Sequence, residues 1–148
     1  GIIHAGWKSI GAGIIDNFID LWKKHEGYKN QTKIQILPSI CGKCLDFYQQ
    51  SYSKLVIPAI KHLISQKSIS QFTKYSKGKI SLDLPRLIEY FLNQKGYKSI
   101  EKPHECICCS GKYWCSRCDD KNGKKYRNAA FIITAPFAIN EATRQFAW

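Results

Sequence analysis

The chain has 148 residues, 44% of them hydrophobic and 13% aromatic, which is enough for one buried core and short for two domains. Its net charge of +12 comes from 23 Lys plus Arg against 11 Asp plus Glu, but only Arg86, Arg117, Arg127 and Arg144 are arginines, and lysines lie in almost every segment. Nucleic-acid readers gather cations on one face and favour the bidentate Arg fork, so a lysine-covered solvated surface is expected rather than a nucleic-acid interface, with weak non-specific polyanion binding as the residual consequence.

No apolar run approaches the roughly eighteen residues of a membrane span, and the N-terminus shows neither a basic leader nor a small-residue cleavage site. The expected location is cytoplasmic, without membrane contact. Seven cysteines then suit a reducing compartment, where thiols act as ligands, nucleophiles or small core residues.

In chain order, Ile2 and Ile3 read as the end of a buried strand, His4 as leaving it on a turn, and Gly6, Gly11 and Gly13 as framing a helix start. Ile10, Ile14, Phe18 and Trp22 recur every four residues with Ile15 and Ile19 beside them, so residues 9–24 are expected to form one helix with a continuous apolar stripe. Lys23, Lys24 and His25 suit its C-terminal dipole, and Gly27 is placed to end it.

Residues 32–37 alternate, with Ile34 and Ile36 on one face, and Pro38 stops the strand. A helix is expected over about 47–66, kinked or divided where Pro58 lacks an amide donor. The polar stretch 67–79, with its serines, lysines and Gly78, reads as loop. Asp83 can cap a helix whose first turn holds Pro85, whose buried side is Leu84, Leu87, Ile88, Phe91 and Leu92, and which Gly96 closes. Short strands near 105–109 and 129–134 complete the alternation, and residues 135–148 form a tail.

Two C-x-x-C pairs carry the strongest chemical signal. Cys41 with Cys44 and Cys115 with Cys118 can present four thiolates to a structural zinc, although about seventy residues separate the pairs. A more local set draws on Cys106 and Cys108 or Cys109 together with Cys115 and Cys118. His104 and Glu105 could add a ligand or a base, while His25 and His62 lie on helix surfaces. Small hydrophobic thiols at strand ends are the alternative for the cysteines, and a solvated histidine on an exposed turn is the alternative for His104.

H-A-G-W-K-S-I-G-A-G-I-I at 4–15 closely resembles the H-A-G-W-R-G-x-x-x-G-V-V signature of the YfiH-like laccase-domain family, described as multicopper polyphenol oxidoreductases and as zinc-dependent purine nucleoside phosphorylases. I-L-P-S-I-C-G-K-C-L-D-F at 36–47 resembles G-P-S-I-G-P-x-x-Y-E-V, and L-D-L-P-R-L at 82–87 resembles D-L-x-x-x-N. C-I-C-C at 106–109 resembles C-T-Y-C, and Y-W-C-S-R-C-D at 113–119 resembles F-F-S-Y-R-R-D. The resemblance runs over residues 1–134.

It implies an α/β fold, a single mixed-sheet domain with flanking helices, lacking its N-terminal part. The implied reaction is phosphorolysis of adenosine or inosine to base and ribose 1-phosphate, with adenosine deamination and methylthioadenosine phosphorolysis beside it. Its implied partners are a purine nucleoside and phosphate.

The family holds its metal through a His in Q-x-H-G, a Cys in A-D-C and the H-A-G-W histidine. Only the last has a counterpart here, His4, so the chain reads as the C-terminal part of a longer or decayed gene product, partnered by an N-terminal complementing chain or a second copy. Zinc is the cofactor implied; copper is less expected, because a multicopper site needs many histidines and this chain has four.

Lys8 and Arg117 fall on family arginines and are the candidates for the phosphate or substrate side, while Asp46 falls on an acidic position that can cap or pair. Two other readings stay open: a non-enzymatic cysteine-zinc module that binds nucleic acid, and a catalytically inactive remnant.

Overall fold

A computed structural model describes residues 1–24, 32–61, 66–102, 105–115 and 128–130. The fold is mixed α/β. Among these residues its strands form two small sheets, a parallel pair β1–β5 and an antiparallel trio ordered β2-β4-β3. No described helix is long and apolar enough to cross a membrane.

Residues 1–6 carry no strand, and Ile2 is exposed, which corrects the expected buried strand end: a strand needs a ladder partner, and no described strand lies beside this segment. Helix α1 (Trp7–Gly11) follows at once. The expected single helix over 9–24 is broken, because Gly13 takes φ +80 and restarts the chain as α2 (Ile14–Lys24). Ile10, Ile15 and Ile19 are buried, whereas Phe18 and Trp22 stack on each other, half-buried, with ring centroids 6.5 Å apart. Gly27 and His25 lie outside the described residues.

Strand β1 (Ile34–Gln35) is the short strand expected before Pro38. The helix expected from 47 begins later, since Asp46–Tyr48 is strand β2. It then runs as α3 (Gln49–Ser51), a π-helical turn over Tyr52–Val56, and α4 (Ile57–Ile60). Pro58 cannot donate to an i−4 carbonyl and its ring crowds that carbonyl, and the wider π turn just before it absorbs the mismatch. Against α4 packs α1, so closely that a Cβ on Gly11 would lie 2.6 Å from Ala59 Cβ and 2.9 Å from its carbonyl oxygen.

The expected loop over 67–79 is instead ordered. After α5 (Gln66–Ile69) and a 3₁₀ turn over Ser70–Phe72 comes a hairpin of β3 (Thr73–Ser76) and β4 (Lys79–Leu82). Its two turn residues, Lys77 at φ 49 and Gly78 at φ 75, have the left-handed backbone that a tight two-residue hairpin demands. Only one face of the hairpin is apolar, through Ile80 and Leu82, which is why composition hides it. Asp46, the acidic family position, pairs with Lys79 at 3.0 Å.

Helix α6 (Leu84–Gln94) is as expected: Asp83 Oδ1 accepts the Arg86 amide at 3.2 Å, Pro85 sits in the first turn, and Gly96 follows at φ 90. Leu84, Leu87, Phe91 and Leu92 are buried, each contributing roughly 1.5–3 kcal/mol of apolar transfer. They join Ile10, Ile15, Ile19, Val56, Ile60 and Leu82 in one core. The chain then returns as β5 (Ile100–Glu101), parallel to β1 with Ile34 opposite Ile100 and Gln35 opposite Glu101. At 105–109 the expected strand reduces to one parallel bridge, Ser39 with Cys106, followed by a turn. Residues 131–134 and the tail lie outside the described residues.

Candidate metal centre

Parallel pairing decides which cysteines meet. β1 and β5 run side by side in one direction, so the segments leaving their C-terminal ends emerge together, and the ladder continues through the Ser39–Cys106 bridge and the Ile107 amide donating to the Ser39 carbonyl at 3.1 Å. Two residues after Ser39 comes Cys41, and Cys106 is already at the bridge. The C-x-x-C turn of 41–44 is closed by the Cys44 and Leu45 amides, both donating to the Cys41 carbonyl at 3.0 Å. The facing turn is closed by the Ser110 amide on the Cys106 carbonyl at 3.1 Å.

The result is a group of four thiols, Cys41, Cys44, Cys106 and Cys109, with all four Sγ atoms within 4.8 Å of one another. Three are half-buried and Cys109 is exposed. Cys106 Sγ is at the centre of the polar contacts: it accepts the Cys41 amide at 3.2 Å and the Cys108 amide at 3.4 Å. The first turn is braced from behind, because Gly42 lies so near the α6 cap that a Cβ there would meet Asp83 Cβ at 3.0 Å.

Cys44, Cys106 and Cys109 differ in acidity for physical reasons. Burial pushes Cys44 up to about 12, helped by hydrogen bonding to Cys41 and Cys106. Burial also works against ionisation of Cys106, yet the backbone amides of Cys109, Cys41 and Cys108 outweigh it and bring the thiol down to about 6. Cys109 is raised, chiefly by hydrogen bonding to Cys106.

Among the described residues Cys41 and Cys44 thus meet Cys106 and Cys109. Cys115 is buried and outside the group, Cys118 lies outside the described residues, and Cys108 is disulfide-bonded. The signal for the pair that does converge was present as spacing, since Cys106 and Cys109 are themselves a C-x-x-C overlaid by Cys108. Glu105 is ion-paired with Lys112, whereas His104, His25 and His62 lie outside the described residues.

His4 occupies a separate place. It is exposed on the segment leading into α1, where Ser9 Oγ donates to the His4 and Gly6 carbonyls at 3.0 Å each. A Cβ on Gly6 would come within 3.1 Å of His4 Nε2, so the glycine lets the ring lie against the backbone. Lys8 is exposed, its ammonium 5.5 Å from the Trp7 ring centroid. Arg117 lies outside the described residues.

Among the described residues the four-cysteine group is the one set of three or more His, Cys, Asp or Glu side chains able to hold a metal, and His4 is not in it. One imidazole does not enclose a catalytic zinc, which takes about three protein ligands. A shallow groove of about 170 Å³ lined by Gln71, Phe72, Arg86, Glu89, Tyr90 and Asn93 contains neither His4 nor Lys8, and it is smaller than the roughly 300 Å³ of a small ligand pocket.

No protein with a curated description matches the chain. Among solved structures, the crystal structure of the hypothetical protein YfiH from Bacillus licheniformis is similar, with 27% sequence identity and a TM-score of 0.57. That similarity covers 72% of this chain and 39% of YfiH, so the chain spans well under half of that protein's length. Residues 1–135 match the family described as multi-copper polyphenol oxidoreductase laccase. With that match over most of its length and the H-A-G-W turn, the chain belongs to this YfiH-like laccase-domain family.

Proposed function

We propose that the chain supplies the C-terminal portion of a zinc-dependent purine nucleoside phosphorylase, in which His4 is one metal ligand and Lys8 and Arg117 lie on the phosphate or substrate side. The observation that carries this reading is the H-A-G-W turn itself: an exposed imidazole on a segment held by Ser9, directly before a helix, inside the family match. Such a side chain is preorganised to bind a metal from one side and leaves the other ligands to be supplied elsewhere. The Q-x-H-G and A-D-C motifs that hold the family's other two ligands do not occur in these 148 residues. Activity in this reading belongs to an assembly or longer polypeptide that carries them.

Zinc, when bound, supplies Lewis-acid polarisation. Lys8 offers a single point charge that can offset phosphate but cannot grip it bidentately. Arg117 has the fork geometry that Lys8 lacks.

The test is phosphate-dependent release of hypoxanthine from inosine and adenine from adenosine, with the chain alone and together with a segment carrying both missing motifs. Turnover is expected only in combination, and His4→Ala should lower it about 100-fold or more, since even outer partners of metal ligands are worth 10–100-fold. An inert combination rejects the phosphorylase reading. Turnover that His4→Ala leaves unchanged rejects the role of His4.

A second reading, a non-enzymatic zinc module, is favoured by the convergence of Cys41, Cys44, Cys106 and Cys109. It predicts the same inert combination together with a stoichiometric metal.

A further inference from the structure

We propose that Cys41, Cys44, Cys106 and Cys109 form a structural zinc site that ties the turn after β1 to the turn after β5, separate from any metal held by His4. The inference does not rest on the phosphorylase reading.

Four observations carry it. The donors come as two C-x-x-C turns, and each turn is closed by its own backbone hydrogen bonds, so two pairs of sulfurs are presented by rigid loops. All four Sγ atoms lie within 4.8 Å of one another, and Zn–S bonds of about 2.3 Å at tetrahedral angles require sulfurs about 3.8 Å apart, a small adjustment. No carboxylate or imidazole belongs to the group, so the donor set is wholly soft and selects against magnesium, calcium and manganese. Cys106 Sγ already accepts the amides of Cys41 and Cys108, the kind of outer hydrogen bonding that fixes a ligating sulfur and offsets the negative charge of a thiolate.

The position of the group in the fold gives the metal a task. β1 and β5 share only two paired residues each before the Ser39–Cys106 bridge, and a two-stranded ribbon of that length is marginal in water. A tetrahedral zinc just past the bridge joins segments about 65 positions apart, clamping the ladder at the end where backbone pairing stops. Sulfur ligands must lose their protons to bind, so metal loading and closure of this part of the fold are one event.

The deciding experiment is site-resolved alkylation of the purified protein under reducing conditions, read by mass spectrometry before and after chelation, alongside elemental analysis. Cys109 is the informative residue: it is exposed, so burial cannot protect it, and protection that chelation removes is assigned to coordination. The expected result is one equivalent of zinc and slow alkylation of Cys41, Cys44, Cys106 and Cys109, all four becoming at least 10-fold faster once zinc is removed. His4→Ala and Cys115→Ser should keep the full equivalent, while Cys106→Ser with Cys109→Ser should lose it. Rapid alkylation of Cys109 in protein refolded with excess zinc, an equivalent of copper in place of zinc, or loss of the zinc in His4→Ala would each overturn the proposal. The alkylation readout needs no variant, so a double mutant that fails to fold leaves the test intact.

Discussion

Cys106 shows how far a single residue's surroundings can set its chemistry. Three backbone amides hold its thiol near 6, although burial opposes them, while Cys44 beside it is driven to about 12 by burial and by its thiol neighbours. These shifts bear on stability in opposite directions. The folded value of Cys106 is depressed from the ordinary 9.0, so its contribution is complete above pH 9 and is lost as pH falls through 6. The folded value of Cys44 is raised, so its contribution is complete below pH 9 and is lost as pH rises towards 12. In chelator and reductant, the urea midpoint of the metal-free protein should therefore climb from pH 6 to pH 9, and the climb should flatten in Cys106→Ser. A midpoint that falls over that range, or the same climb in Cys106→Ser, would show that the amides do not stabilise this thiolate.

At the scale of elements, two glycines separate conformational strain from crowding. Gly78 has φ +75 and nothing within 4 Å of where a Cβ would stand, so Gly78→Ala should cost about 1 kcal/mol from backbone strain alone. Gly78→Asn should recover much of it, because Asn tolerates that region. Gly11 poses the opposite problem: its added Cβ meets the Ala59 backbone between α1 and α4, and overpacking of this kind costs about 1–3 kcal/mol. Asn should then be worse than Ala at position 11. Urea midpoints for the four variants distinguish the cases, and an Asn rescue at 11 or none at 78 would contradict the assignment.

Helix α6 was legible in sequence because its signals are local: a capping Asp83, Pro85 in the first turn, apolar residues at helical spacing and a closing Gly96. The hairpin β3–β4 was not, because its strands are short, serine- and lysine-rich, and apolar on one face only. The break at Gly13 was hidden for another reason, since an unbroken apolar stripe looks the same whether the backbone continues or restarts.

For the molecule as a whole, the family was legible in the H-A-G-W turn and in the order of the weaker motifs, while the thiol group depended on a fact no local pattern carries. Which C-x-x-C meets Cys41 and Cys44 is set by the parallel register of β1 and β5, with Ile34 beside Ile100, across a crossover that holds every helix from α3 to α6 and the hairpin. Sequence distance favours Cys115 and Cys118 no less than Cys106 and Cys109; only the ladder brings the second pair to the Cys41–Cys44 turn. His4 is not in that thiol group, so a metal held by the four sulfurs and one bound through His4 would be separate sites. X-ray absorption at the zinc edge tests that separation most directly. The chain as purified should show zinc surrounded by four sulfurs at about 2.3 Å and no lighter scatterer. A shell containing nitrogen or oxygen at about 2.0–2.1 Å, lost in His4→Ala, would contradict it.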